Sequence, residues 1–101
     1  MKRIINGKMY NTETAELIDS HESGYPEDYD YEYEALYQKK TGEFFLYGKG
    51  EVASRYRVYY GGNEWGGSSR ITPYTESEAK KWLAKYGNVD IYCKVFGEPE
   101  E

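Results

Sequence analysis

One cysteine, one histidine and three prolines in 101 residues leave several chemistries unrepresented. Cys93 alone forms no disulfide within the chain, and with His21 it makes no cysteine or histidine cluster for zinc and no nucleophile–base pair. No apolar stretch approaches the roughly 20 residues that span a bilayer, and "MKRIINGKMYNT" lacks the apolar core of a signal peptide. These shortages point to a cytoplasmic domain, outside the membrane, with no metal, no cofactor and no catalytic residue, and so not an enzyme. A fourth shortage is local. Residues 9–38 contain no lysine or arginine, yet hold nine Asp and Glu.

What is abundant is tyrosine, 13 residues, within an aromatic share of 18%. A chain of this length supports one core, here a thin one built from rings whose hydroxyls need partners. Net charge is −5 but unevenly laid out. Residues 1–8 carry three cations, the next thirty only acids, and residues 39–70 six cations against three acids. The first third would therefore suit a basic partner, while Arg55, Arg57 and Arg70 would suit a polyanion.

The hydrophobic period predicts α+β: a small antiparallel sheet of about four to five strands joined as hairpins, packed by one or two C-terminal helices. Residues 1–97 read as a single domain and 98–101 as a frayed acidic tail. Asn6-Gly7 between "RII" and "KMY" is the dipeptide of a type I′ hairpin turn. Residues 12–21 suit a strand or a helix, with the threonines tilting toward strand. "YEYEALYQKKTGEFFLYGKG" has the form of a hairpin turning at "KTGE". "SRYRVYY" reads as a strand, "GGNEWGGSS" as a glycine-rich loop, and "RITPY" as an extended piece that Pro73 ends or places at an edge. In "TESEAKKWLAKYG", Thr75 and Glu78 form a capping box, Ala79, Trp82, Leu83 and Tyr86 share one face, and Gly87 marks the stop. Residues 89–96 fit a last strand or, preferably, a helix capped by Asn88 and stopped by Gly97, with Val89, Tyr92 and Phe96 on one side.

The segment "YPEDYDYEYEAL" draws most attention. As a strand it would send Asp28, Asp30, Glu32 and Glu34 to an open face and Tyr29, Tyr31 and Tyr33 under the helix, giving carboxylates about 6–7 Å apart. That spacing resembles a nucleic-acid phosphate repeat and would engage a basic channel. Tyr25, Glu27, Asp28, Asp30, Glu32, Glu34 and an exposed Trp65 are the expected partner-binding residues. The competing use of Arg55, Tyr56, Arg57 and Arg70 is a nucleic-acid or nucleotide contact on a sheet face, or internal neutralisation of the carboxylates.

The segments "IINGKMYNTETA", "LYQKKTGEFFLYG" and "PYTESEAKKW" resemble a family of small uncharacterised proteins of phages and mobile elements of Firmicutes; the likeness covers most of the chain. It departs from the family at "GKGE", where "GEGG" is usual. The resemblance implies an accessory protein of a phage in its bacterial host, antagonising defence. The expected form is an anti-CRISPR inhibitor blocking a Cas9-type nuclease stoichiometrically. Sequestration of a nucleotide immune signal, or nucleic-acid binding, are the alternatives.

Overall fold

The computed structural model describes residues 1–101 as an α+β fold. Ten elements follow in order: β1 (Lys2–Ile5), β2 (Lys8–Asn11), β3 (Glu16–Ser23), β4 (Glu32–Gln38), β5 (Phe44–Gly50), β6 (Val58–Gly61), β7 (Glu64–Gly66), β8 (Ser68–Tyr74), α1 (Glu76–Tyr86) and α2 (Val89–Phe96). The main sheet is antiparallel in the order β3-β4-β5-β8, and β1-β2 and β6-β7 form separate two-stranded hairpins. The molecule measures 49 × 33 × 20 Å.

Local chemistry accounts for most boundaries. Asn6 and Gly7 both adopt positive φ, 52° and 79°, as the β1–β2 turn requires. Residues 16–23 are strand, with a bulge between Leu17 and Asp19 that turns Ile18 toward the core and leaves Leu17 exposed. Thr75 and Glu78 close the capping box reciprocally, at 3.1 Å and 2.9 Å. Gly87 does end α1, yet its backbone is extended, and a Cβ there would crowd Leu83. Residues 89–96 form a helix, capped by Asn88 through the Ile91 amide at 2.8 Å. Tyr92 and Phe96 of α2 pack on the core, but Val89 is exposed instead of joining them.

The strand read at "SRYRVYY" and the loop read at "GGNEWGGSS" need correction, whereas the edge placement of "RITPY" holds. "SRYRVYY" is strand only from Val58, because 54–57 turn back over the sheet, and "GGNEWGG" contributes strand β7 to a hairpin. "RITPY" is part of β8, an edge strand in which Pro73 sits opposite Phe45.

The core lies on both faces of the main sheet. On one face α1 sets Ala79, Trp82 and Leu83 against Leu36, Phe44 and Leu46. On the other, Tyr10 of the β1–β2 hairpin meets Phe45 edge-on and packs with Ile71. Alternation fixes the split, since neighbouring residues of β4 and β5 point to opposite faces.

Candidate partner-binding surface

The segments joining strands at one end of the main sheet hold most of the expected binding residues. These are the β3–β4 connection, residues 24–31; the segment after β5, residues 51–57; and the β6–β7 hairpin with Gly67. Tyr31 and Tyr29 accept backbone bonds from Glu51 and Ala53 at 3.0 and 2.8 Å, which straps the first connection to the second.

Residues 25–31 are not a strand. Gly24 takes φ 80°, and the Asp28 carboxylate accepts the Tyr25 amide at 3.0 Å. The Asp28 amide in turn donates to the Tyr25 carbonyl at 2.8 Å. This side-chain-closed turn beside Pro26 offers the backbone an alternative to the ladder, so pairing begins only at Ser23↔Glu32. The proposed row of four carboxylates facing solvent therefore does not exist. Tyr29 is 78% and Tyr25 74% exposed, whereas Tyr31 is buried and donates its hydroxyl to Glu22 at 2.9 Å. Glu27, Asp28 and Asp30 are exposed and enter none of the four ion pairs.

Glu34 departs furthest from its expected place. Only 5% exposed, it lies on the helix side in the row His21–Glu34–Gly48–Arg70 that crosses all four strands. Its carboxylate accepts from the Tyr56 hydroxyl, from Trp82 Nε1 at 3.2 Å and from Arg55 at 3.4 Å. Tyr56 reaches it because Gly48 has no side chain; a Cβ there would collide with the phenol. Burial, then the bond to Glu34, pushes the Tyr56 hydroxyl well above the ordinary phenol range. Glu32 is half-buried, and its hydrogen bonds from Arg55, Nε at 2.8 Å and the amide at 2.6 Å, hold it below the usual carboxylate range. The same pairing raises the Arg55 guanidinium. Glu32 and Glu34 thus share Arg55 as their counter-ion within the fold, and neither is free for a partner.

The sheet face expected to read nucleic acid is not formed either. Arg55 is committed to two carboxylates, Tyr56 is buried, and Arg57 turns away to lie 4.8 Å over Trp65. Arg70 is exposed and covers the Tyr56 ring at 4.7 Å. Arg55, Tyr56 and Arg70, with Glu34, Leu46, Thr72 and Tyr74, line a shallow cleft of about 220 Å³.

Trp65 is 48% exposed, as an anchor would be, and the same hairpin carries Tyr59 and Tyr60, also exposed. Their signal was the "YYGGNEWGG" pattern, two aromatic arms around a Gly-Gly-Asn turn. His21 stacks on Tyr86 at 4.4 Å, and Cys93 lies half-buried in α2. No three His, Cys, Asp or Glu side chains converge as metal ligands, and no helix is long and apolar enough to cross a membrane.

Comparison with protein-family models, with curated proteins and with solved structures found no match.

Proposed function

We propose that this chain is a stoichiometric antagonist of a bacterial defence nuclease, of the Cas9 type in the first instance, which it binds through the end of the sheet just described. The observation that carries the binding mode is that the connections at this end of the sheet carry five exposed aromatics, Tyr25, Tyr29, Tyr59, Tyr60 and Trp65, and three exposed carboxylates outside every ion pair, Glu27, Asp28 and Asp30. Large exposed aromatics supply contact energy at low entropic cost, and unpaired carboxylates speed encounter with a cationic surface. The nuclease as target rests on the resemblance of the hairpin and helix-entry motifs to phage accessory proteins. Nucleic-acid mimicry by an ordered charge row is no part of the mechanism, because Glu32 and Glu34 are consumed by Arg55.

The test is capture and inhibition of purified Cas9-type nucleases, free and guide-loaded, by the immobilised chain. Inhibition saturating at one equivalent is expected. Replacing Glu27, Asp28 and Asp30 together by their amides should slow association roughly tenfold at low salt, with little effect at high salt. A panel in which no nuclease is retained would remove the reading.

A further inference from the structure

The β6–β7 hairpin belongs to neither core cluster, yet it carries three large exposed aromatics. Its register places Tyr59 opposite Trp65 and Val58 opposite Gly66. Residues facing each other across antiparallel strands share a side, and neighbours along a strand do not. Arg57, Tyr59 and Trp65 therefore lie on one side of the ribbon, with the Tyr59 and Trp65 rings 5.0 Å apart and tilted by 56°, and the Arg57 guanidinium 4.8 Å over the Trp65 ring. Tyr60 occupies the other side, where its ring lies over Gly66 so closely that a Cβ at Gly66 would meet it. Both sides of the ribbon are thus aromatic, and the sheet covers neither.

We propose that this hairpin is a two-sided finger that enters an apolar cleft with a cationic rim on a protein partner; this deepens the antagonist reading and rests on it. A flat docking surface would cover one side and leave the other ring in water, whereas a cleft wall on each side desolvates both. The ribbon is already set for insertion. The Tyr59 hydroxyl donates to the Gly62 carbonyl at 2.5 Å and closes the turn, and the Arg57 stack holds Trp65. A two-stranded ribbon on its own is marginal in water, so walls on both sides would also stabilise it. Charge selects the occupant. Glu64 on the ribbon and Glu27, Asp28, Asp30 and Glu51 on the connections at this end of the sheet are exposed and in no ion pair, five carboxylates against the one ribbon cation, Arg57, which favours a cationic protein rim and disfavours single-stranded nucleic acid, the other partner that would stack on such rings.

The experiment compares Trp65→Ala, Tyr60→Ala and the Glu27/Asp28/Asp30 triple amide variant for binding to a captured Cas9-type nuclease, with association and dissociation resolved. Melting temperatures should match the parent, because the arm contributes to neither core, and Tyr60→Glu gives a second reading of the far side. Each single substitution should accelerate dissociation about 30-fold and leave association within about threefold, while the triple variant should slow association about tenfold at low salt and leave dissociation within about threefold. Fast dissociation for Trp65→Ala alone, with both Tyr60 variants like the parent, would mean a flat interface and overturn the finger. Retained nuclease with parental dissociation in every variant would overturn the finger and leave the antagonist reading standing. Failure to retain any nuclease would overturn both. Binding of a 30-nucleotide single strand that is lost in Trp65→Ala would make the arm a base-stacking element and overturn the protein cleft.

Discussion

Glu34 is the residue whose replacement separates a structural role from a surface one. Its carboxylate satisfies three donors beneath α1, so Glu34→Ala should destabilise the fold by about 3–5 kcal/mol, because a guanidinium, a phenol and an indole lose their common acceptor. Asp30→Asn, on the exposed connection, should stay within about 0.5 kcal/mol of the parent. Urea unfolding of the two proteins side by side checks both values. The contrast could not be read from the sequence, in which Glu34 and Asp30 are equivalent members of one acidic run. What separates them is the Asp28 turn, a short-range hydrogen bond that withholds residues 25–31 from the ladder, together with the acceptor demand of Tyr56 and Trp82, which come from 22 and 48 residues further along. The exposure of Trp65 was legible in its glycine-rich flanks, which supply no side chain to cover it.

Among the elements, β5 and the 51–57 segment depend on each other through a missing side chain. Gly48→Ala would push the Tyr56 ring off the sheet and break its bond to Glu34, with an expected loss of about 2–4 kcal/mol measured by thermal or urea unfolding. Tyr56→Phe at the same contact should cost about 1–2 kcal/mol, since the ring stays packed and only the hydroxyl is lost. The helices behave more simply. Thr75→Ala removes the α1 cap for about 1 kcal/mol, and Trp82→Ala, which opens a cavity and frees one donor of the Glu34 network, should nearly unfold the protein. Both helices, the Asn6-Gly7 turn and the β4–β5 hairpin follow from local signals: caps, turn dipeptides and hydrophobic period. The β6–β7 ribbon was less legible, because a strand of three residues flanked by glycines has the composition of a loop.

At the scale of the whole molecule, titration brackets the stable range from both sides. Glu32 and Glu43 have folded pKa values below their unfolded ones, Glu43 down to about 2 through hydrogen bonds from Lys8 and Thr41. Their contribution is complete above the unfolded carboxylate value and is lost as pH falls through the folded one, so melting temperature should decline between about pH 4.5 and 2. Tyr31, Tyr37, Tyr56 and Tyr74 are all raised, chiefly by burial. Above about pH 10 the unfolded chain releases these protons while the folded chain retains them, so stability falls with rising pH. The phenolate absorbance of these four tyrosines, the last part of the titration, should then appear in step with loss of secondary structure, and a phenolate signal that completes before unfolding would contradict this. The same plate-like body has a hydrodynamic signature. Its radius of gyration, 14.9 Å, exceeds the roughly 13 Å of a compact chain of this length, and its longest extent is more than twice its shortest. A monomer so shaped should tumble anisotropically and run ahead of spherical standards of equal mass on gel filtration, so an early peak with a light-scattering mass of 11.8 kDa is the signature of one elongated copy and not of a dimer.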